Sequence, residues 1–272
     1  MGRKRIEIDE KNLKKLYWDK RLSPYQIGKL LNCSFSTITN RMKECAIPFR
    51  TPAQARMKYV KNDFNGTLEE KSYILGFRLG DLNCYKRSEN SETIVVRCHT
   101  TDTDQVKLFD KLFKKYGKIT ISQNRNHYYS TTYLNSSFEF LLTKKFRPNN
   151  LHNLSFMAGY VDAEGNFQIN QGRARFKLDS YDYPILNWMS HILNTLGIEN
   201  KFQRIGKKGG KRSNGTVFNQ DLWRITINKA PVLKNFIKMI LPYIKHQKYK
   251  RNMKICFENI MAREEKGTIK CS

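Results

Sequence analysis

The stretch that decides the fold is Met157–Gly165, with the sequence MAGYVDAEG. Its residues are mostly apolar, its small residues Gly159 and Ala163 stand four positions apart, and Glu164 follows the second of them. Small side chains at positions i and i+4 share one face of a helix and let a second backbone approach closely. We therefore predict a buried helix that packs against another helix and ends at a carboxylate.

A weaker copy of this stretch lies earlier in the chain, at Ile74–Leu82, with the sequence ILGFRLGDL. Its small residues are Gly76 and Gly80, and its acid, Asp81, stands 83 positions before the acid of the second copy. Two such helices packed side by side would bring the two acids together at one end of their interface.

Two landmarks follow each motif at a constant spacing. Asp102 and Asp182 are 80 positions apart and each precedes an amphipathic helix, while Gly117 and Gly197, also 80 apart, follow those helices. A glycine at this place is typical of a helix C-terminal cap. Landmarks that recur in the same order indicate a duplicated chain, in which each half supplies one acid.

Each half is predicted to run helix, two strands, helix, two strands, helix, which is an α+β architecture. Strand-like segments occur at residues 118–122, 128–134, 167–170, 174–178, 201–205 and 221–227, and closing helices at 138–145 and 232–240.

The strongest compositional feature is charge. Fifty Lys and Arg residues against 24 Asp and Glu residues give a formal net charge of +26 and a pI near 9.9. A charge of this size favours a polyanionic partner, above all nucleic acid. The plainer alternative is a soluble surface that repels other copies of itself.

Other classes of protein fit the composition poorly. No apolar run approaches the ~20 residues that a membrane span needs, and no apolar signal-peptide core follows the basic segment Met1–Arg5. The six cysteines form no CxxC pair, so zinc-site spacing is absent and reduced thiols are expected. We expect a globular protein of the cytoplasm or of an organellar matrix, not secreted and without a membrane partner.

Residues 1–50 form a self-contained pattern of short helices. Ser23 is predicted to cap a second helix, with Pro24 at its first position and Gln26 returning a hydrogen bond, and Ser34 is predicted to cap a third. The second helix is expected to bury Ile27, Leu30 and Leu31, and the third to bury Phe35, Ile38 and Met42.

The exposed face of that third helix is small, polar and basic. Its residues are Thr37, Thr39, Asn40 and Arg41. Two short helices joined by a tight turn, the second with such a face, resemble a helix-turn-helix that contacts bases or phosphates. An ordinary three-helix domain with a solvated face is the alternative.

A strand pair in the second half is also suited to nucleic acid. Apolar residues alternate with Gln168, Asn170, Arg175 and Lys177, so one face is core and the other polar and basic. A two-stranded ribbon fits the major groove, where such side chains reach base edges and phosphates. A half-exposed sheet with a basic wet face is the alternative.

An extra stretch, Gly206–Gly215, is present only in the second half. It is rich in glycine and basic residues, including Lys207, Lys208 and Arg212. We predict a flexible hairpin tip that contacts phosphates.

The paired acids predict a metal site. Two adjacent carboxylates are costly unless a cation lies between them, and the carbonyl ends of two helices add negative potential. Mg²⁺ is the expected ion, held by Asp81 and Glu164 and otherwise by water and phosphate oxygens. Mn²⁺ is expected to substitute, and Ca²⁺ to bind without supporting cleavage. Metal-assisted hydrolysis of a phosphodiester fits this arrangement.

Met157–Gly165 resembles the LAGLIDADG motif of homing endonucleases at nearly every position, and Ile74–Leu82 is a weaker copy. The resemblance covers about residues 67–265 as a single-chain enzyme with two repeats. It implies two pseudo-symmetric αββαββα repeats whose saddle-shaped antiparallel sheets lie on DNA. It also implies that the last acid of each motif, Asp81 and Glu164, binds the divalent metal ion.

The resemblance is incomplete in the first motif. Leu82 stands where the family has Gly, and Arg78 occupies a normally apolar position. Asp162 is the family's other motif acid, which is not its usual metal ligand. The family's lysine near the end of each repeat, which orients or activates water, is assigned to Lys248. A merely basic surface on the last helix is the alternative there.

These observations predict four segments: a helix-turn-helix DNA-binding domain at 1–50, a linker at 51–66, and two repeats at 67–150 and 151–272. The expected function is site-specific cleavage of double-stranded DNA by a monomer. The alternatives are an intron maturase that binds RNA, a DNA-binding regulator of the same fold, and a basic structural protein with fortuitous motifs.

Overall fold

The computed structural model describes residues 8–56, 59–143, 145–212 and 214–269. The chain divides into two compact units, residues 1–60 and 61–272, each with its own apolar core. Among the described helices, none combines the length and hydropathy needed to cross a membrane.

The first unit is a set of short helices. They are α1 (Glu10–Lys14), continued by a π-helical turn (Lys15–Asp19), then α2 (Pro24–Leu30), α3 (Phe35–Glu44) and α4 (Pro52–Arg56). Both predicted caps are confirmed. The Gln26 backbone N–H donates to Ser23 Oγ at 3.2 Å while Gln26 Oε1 accepts from the Ser23 backbone at 2.9 Å, and Ser34 Oγ accepts from the Thr37 backbone at 3.1 Å.

Two residues predicted to be buried in this unit are not. Leu30 is 60% exposed and Phe35 is 55% exposed, whereas Ile27 and Ile38 are fully buried. The inner face of α2 is centred on Gly28, where a Cβ atom would lie 2.7 Å from the Cys33 carbonyl oxygen. This close packing turns Leu30 outward. Phe35 is the first residue of α3, and α3 buries only positions from Ile38 onward.

The first repeat of the second unit contains two α-helices and four strands. They are α5 (Leu68–Asp81), β1 (Leu82–Lys86), β2 (Ile94–Thr100), α6 (Thr103–Phe113), β3 (Ile119–Asn124) and β4 (His127–Leu134), followed by a 3₁₀ helix (Ser136–Leu142).

The second repeat follows the same order with two closing α-helices. It comprises α7 (Asn153–Glu164), β5 (Gly165–Asn170), β6 (Arg173–Ser180), α8 (Tyr183–Thr195), β7 (Lys201–Gly206), β8 (Leu222–Ile227), α9 (Ala230–Ile240) and α10 (Gln247–Glu265).

The two repeats build matching antiparallel sheets. The strand orders are β1-β2-β4-β3 and β5-β6-β8-β7, so each sheet places its fourth strand beside its second. One face of each sheet joins the helices in a single continuous core. The predicted α+β class with two pseudo-symmetric repeats is confirmed.

The closing helix of the first repeat differs from the prediction. Residues 138–145 were expected to form it, but the segment is a 3₁₀ helix that ends at Leu142, and Lys144 lies outside the described residues. The two buried residues of this segment, Phe138 and Leu141, are three positions apart, and in a 3₁₀ helix such residues lie on the same face.

The two landmark glycines have different roles. Gly197 follows α8 with φ +73°, which is the left-handed conformation expected after a helix C-terminus. Gly117 does not adopt this conformation, so the predicted cap is wrong there. Its lack of a side chain instead admits the Tyr133 carbonyl oxygen, which would lie 2.8 Å from a Cβ atom.

The segment predicted to be a linker, residues 51–66, contains α4 and a stretch that packs on the second unit. The Asn62 backbone N–H donates to the Tyr116 carbonyl at 2.9 Å, and the Phe64 ring lies 5.4 Å from the Phe138 ring. The second compact unit therefore begins at Lys61.

Candidate metal and nucleic-acid site

The site is organised by the two motif helices, α5 and α7, which touch backbone to backbone. A Cβ atom on Gly76 would lie 2.1 Å from the Phe156 carbonyl oxygen, and one on Gly159 would lie 2.1 Å from the Tyr73 carbonyl oxygen. No side chain fits at either glycine. The predicted close packing of two helices through their small residues is confirmed.

The acids meet where these helices end. A Cβ atom on Gly80 would lie 2.3 Å from Ala163 Cβ and 3.3 Å from Glu164 Cγ. Asp81 and Glu164 are the last residues of α5 and α7, and each is followed at once by the first strand of its sheet. The interface therefore places the two acids side by side.

The two carboxylates are electrostatically coupled. Burial, opposed by a hydrogen bond from Gln105 Nε2 at 2.6 Å, raises the pKa of Asp81 to about 6. Glu164 is accessible to water, but protein surrounds much of its carboxylate. This lost hydration, with the charges of Asp81 and Asp182, raises its pKa to about 7.

Asp162, the other motif acid, is buried and cross-links the structure. Its Oδ2 accepts from Tyr73 Oη at 2.5 Å, from the Lys245 backbone at 2.7 Å and from the His246 backbone at 2.9 Å. Burial, opposed by these hydrogen bonds, raises its pKa to about 6. The residue joins α5 to the segment that precedes α10 and is not presented to a ligand.

Two residues near the acids were missed by the sequence analysis. Gln105 lies on the apolar face of α6, is 8% exposed and contacts Asp81. A polar residue on an apolar helical stripe was the available signal. Tyr249 lies on the first turn of α10, and burial followed by the charges of Asp81, Asp162 and Glu164 raises its pKa. No pattern in the sequence marks it.

Lys248, the predicted catalytic lysine, lies beside a different acid. Its Nζ atom is 3.2 Å from Asp102 Oδ2, at the N-cap of α6. Asp104, two residues after Asp102, forms an ion pair with Arg251 of α10 at 2.6 Å. Lys248 and Arg251 therefore form a basic edge of α10 that pairs with Asp102 and Asp104. The catalytic role of Lys248 stays a prediction.

The two departures of the first motif do not disturb the helix pair. The Arg78 guanidinium turns away from α7 and donates from Nε to the Leu141 carbonyl at 2.7 Å. Leu82 is buried and extended, with φ −100° and ψ 138°, a conformation open to any residue. The first motif thus presents Asp81 despite its weaker sequence match.

The polar face predicted for the second sheet is present. Gln168 pairs with Arg175 and Asn170 with Arg173 across β5 and β6, while Lys177 pairs with Thr226 of β8. The alternate residues Phe167, Ala174, Phe176 and Leu178 are buried, whereas Ile169, near the end of β5, is exposed. Contact of this face with DNA stays a prediction.

The corresponding face of the first sheet was missed. Arg97 pairs with Asn83 and Thr131, and the His99 ring stacks on the Tyr129 ring at 4.4 Å. The polarity of β4 is inverted: Tyr129 is 41% exposed, while the intervening small polar side chains of Ser130 and Thr132 are buried. Because of this inversion, the outer face of β4 does not correspond to the polar positions of its sequence.

The described residues of the predicted basic stretch connect β7 to β8 and carry backbone hydrogen bonds. Gly209 donates to the Phe218 carbonyl at 2.8 Å, and Phe218 donates to the Gly210 carbonyl at 2.9 Å. Lys207, Lys208 and Arg212 are exposed, and the Arg212 guanidinium lies 4.6 Å from the Phe218 ring.

The four residues predicted to contact DNA in the first unit lie on α3, and the side chains of three of them already have partners. Thr37 Oγ1 lies 2.8 Å from Ser34 Oγ, and the Thr39 hydroxyl donates to the Ser36 carbonyl at 3.1 Å, while Asn40 is exposed. Arg41 donates to the Ile8 carbonyl and to Glu44, each at 3.1 Å. Their role in DNA binding stays a prediction.

The acids suit a hard cation that takes few protein ligands. Within the described ranges, no three His, Cys, Asp or Glu side chains cluster closely enough to hold a metal ion. Asp81 and Glu164 supply two carboxylates at the carbonyl ends of two helices, as Mg²⁺ accepts when phosphate and water complete its shell. The chemistry of the donor set therefore fits a divalent ion shared with a substrate.

Comparison with known proteins gives three findings. The family model described as a LAGLIDADG-like domain matches residues 152–241. A solved structure of the homing endonuclease I-DmoI in complex with DNA and Ca is 18% identical, with a TM-score of 0.48, and covers 69% of this chain and 97% of its own. The meganuclease I-SmaMI, bound to uncleavable DNA, is 13% identical, with a TM-score of 0.46, and covers 72% of this chain and 92% of its own.

No curated protein matches the chain. The family match includes all of α7, Glu164, the second sheet, α8 and α9. This match lies wholly within the second repeat.

Proposed function

We propose that this protein is a site-specific endonuclease of double-stranded DNA that hydrolyses phosphodiesters with a divalent metal ion. The observation that carries the proposal is the pair of carboxylates, Asp81 and Glu164, at the adjacent ends of α5 and α7. The backbones of these two helices touch with no side chain between them at Gly76 and Gly159. Each acid leads directly into the first strand of a sheet whose outer face is polar. DNA lying across both outer faces would have its backbone at the acids.

Asp81 and Glu164 would hold the ion, and Mg²⁺ is the expected one, with Mn²⁺ as a substitute. When bound, such an ion lowers the pKa of water and stabilises the leaving oxygen of the phosphodiester. The Gln105 amide, bonded to Asp81 at 2.6 Å, would hold that carboxylate in position. The net charge of +26 would supply the electrostatic part of DNA affinity.

The experiment is selection of cut sites from a randomised DNA library in Mg²⁺, followed by sequencing of the ends. The wild type is expected to cut a defined site with Mg²⁺ or Mn²⁺ and to bind it uncut with Ca²⁺. Asp81→Asn and Glu164→Gln are each expected to abolish cutting while keeping most of the affinity, because phosphate contacts dominate binding. Binding of DNA without cutting of any site would overturn the proposal.

A matched control is Asp110→Asn, which removes one negative charge from an exposed position of α6. It is expected to cut at the wild-type rate. Lys248→Met tests the predicted catalytic lysine in the same assay. General acid–base groups contribute about 10²- to 10⁴-fold, so an unchanged rate would remove Lys248 from the reaction.

An RNA-binding maturase of the same fold is the second candidate, and a DNA-binding regulator the third. The inverted polarity of the first sheet favours the maturase, since exposed aromatic rings stack on unpaired bases. Splicing assistance by Asp81→Asn, measured on a self-splicing intron, would separate RNA binding from DNA cutting.

A further inference from the structure

A cleft in the second repeat is lined by aromatic side chains and one lysine. It is an open depression of about 510 Å³ between the start of α8 and the start of β8. Its lining residues are Tyr181, Tyr183, Lys208, Gln220, Asp221 and Trp223.

The aromatic rings of the cleft form a preformed platform. The Tyr183 and Trp223 rings are 4.6 Å apart, and Phe202 stacks behind Trp223 at 5.3 Å. Tyr181 and Tyr183 are nevertheless 40% and 44% exposed. The Tyr181 hydroxyl accepts a hydrogen bond from Arg212, and the Tyr183 ring packs against Phe202 and Trp223. Both rings are thus fixed in place while part of their surface stays open to a planar ligand.

The polar groups of the cleft are arranged for an anion beside that ligand. Asp221 accepts from the Lys208 backbone N–H at 2.7 Å and from Arg204 Nη1 at 3.1 Å, which fixes the base of the basic extension. The Lys208 ammonium makes no ion pair with any described residue, and the Gln220 amide makes no hydrogen bond with one. A planar ring with donors and acceptors, attached to a phosphate, matches this set of groups.

The tyrosine pair of the cleft is not repeated in the first half of the sequence. At the spacing of 80 that relates Asp102 to Asp182, the positions of Tyr181 and Tyr183 correspond to Thr101 and Thr103. The basic extension has no equivalent between β3 and β4. The cleft lies on the side of Glu164, because Gly165, which follows this acid, pairs with Leu178, three positions before Tyr181.

We propose that this cleft binds one unpaired nucleobase of a DNA strand, stacked on Tyr183 and Trp223, with its phosphate on Lys208. The proposal rests on the proposed function for the choice of DNA as the strand. Stacking on aromatic rings is tolerant of base identity, so the cleft selects for an unstacked base and not for a sequence. It would favour DNA distorted on the side of Glu164.

The test compares two DNA duplexes that differ only by one bulged 2-aminopurine nucleotide, with binding measured in EDTA so that no cutting occurs. Base stacking is worth about 1–3 kcal/mol, so the wild type is expected to bind the bulged duplex about tenfold more tightly and to quench its fluorescence. Tyr183→Ala and Trp223→Ala are expected to reduce the ratio of the two affinities to about one.

Three controls separate the loss of the aromatic face from unfolding and from an unrelated surface change. Trp223→Phe keeps an aromatic face and is expected to retain most of the preference even if Trp223→Ala unfolds. Leu196→Ala removes an exposed apolar side chain at the far end of α8 and is expected to leave the affinity ratio unchanged. Thermal melting of each variant checks its fold.

Equal affinity for the two duplexes overturns the proposal, as does a preference that survives in folded Tyr183→Ala. Preference for single-stranded RNA without any for the bulged DNA also overturns it. Because the assay needs no cutting, a preserved bulge preference in a protein that cuts nothing would reject the endonuclease alone. Lost preference with intact cutting would reject the cleft alone.

Discussion

At the scale of single residues, three neighbouring acids have three different tasks. Asp81 and Glu164 end their helices and face the same space, whereas Asp162 is 1% exposed and bonds three donors with one oxygen. The difference follows from helix geometry. Two positions before the helix end, the side chain of Asp162 points into the packed interior, where the hydrogen bonds to Oδ2 offset only part of the cost of burying its charge.

Asp162→Ala is expected to lower the free energy of unfolding by about 3 kcal/mol or more, because it leaves the Tyr73 hydroxyl and two backbone N–H groups buried without an acceptor. Urea denaturation with a cooperative two-state fit measures this. Tyr73→Phe, which removes a single donor, is expected to cost about 1 kcal/mol. A loss below 1 kcal/mol for Asp162→Ala would show that water replaces the carboxylate.

At the scale of elements, the α5–α7 pair sets the distance between the two acids. Its contact points are backbone atoms, which cannot move aside as a flexible side chain can. The helices therefore tolerate no increase in side-chain volume at Gly76 or Gly159, although glycine is otherwise a poor helix former.

Gly76→Ala and Gly159→Ala are each expected to destabilise the protein by about 1–3 kcal/mol, because the overpacking at 2.1 Å outweighs the gain of about 1 kcal/mol in helix propensity. Cutting is expected to fall more than stability accounts for, since the acids separate with their helices. Denaturation and cleavage rates on the same samples measure both effects.

The matched control for these variants is Leu68→Ala at the first position of α5, which is 53% exposed. It is expected to change stability by less than about 0.5 kcal/mol and cutting not at all. A stable, fully active Gly159→Ala would show that the helix contact does not position the acids.

At the scale of the whole molecule, the chain consists of two units with separate cores. Leu13, Ile27 and Ile38 belong to the first core, and the motif helices and both sheets to the second. No residue of one core cluster is a member of the other.

A protein lacking residues 1–60 is expected to fold and to unfold cooperatively, with a midpoint within about 5 °C of the same transition in the full chain. Circular dichroism and calorimetry measure this. The truncated protein is also expected to cut the same site with weaker binding. An unfolded 61–272 fragment would show that the second unit depends on the first.

The net charge of +26 predicts a steep dependence of DNA affinity on salt. Each phosphate contact contributes about −0.9 to the slope of log K against log salt concentration. The triple variant K207A/K208A/R212A is therefore expected to lower the magnitude of this slope by up to about 2.7. Titrations at several salt concentrations measure it.

The control for this prediction is K207R/K208R, which keeps both charges and is expected to keep the slope. An unchanged slope in the triple alanine variant would place the basic extension away from the phosphates.

Much of the architecture could be predicted from the sequence because its signals are local. The small residues of the motifs, the caps at Ser23 and Ser34, and the repeated landmarks each depend on residues within one element or on their order. The same holds for the polar alternation of β5 and β6, since side chains on a strand alternate between two faces. These features were confirmed, except that Gly117 is not a helix cap.

The surroundings of the acids depended on tertiary structure. Gln105 lies 24 positions from Asp81, and Tyr249 comes from the last helix, so no pattern within one element joins them to the site. Leu30 and Phe35 likewise have the apolar character of core residues, but Leu30 lies opposite the packed face at Gly28 and Phe35 is the first residue of α3, so both are exposed.

The sequence by itself determined the duplicated α+β chain, the two acids and the excess positive charge. Only the tertiary structure decided that Asp162 is a buried cross-link, that β4 turns tyrosine outward, and that an open aromatic cleft lies on the side of Glu164. The physical reason is that the spacing of apolar and polar residues indicates which face of a helix or strand differs in polarity from the other. Which partner covers that face, and with what loss of hydration, is set by residues distant in the chain.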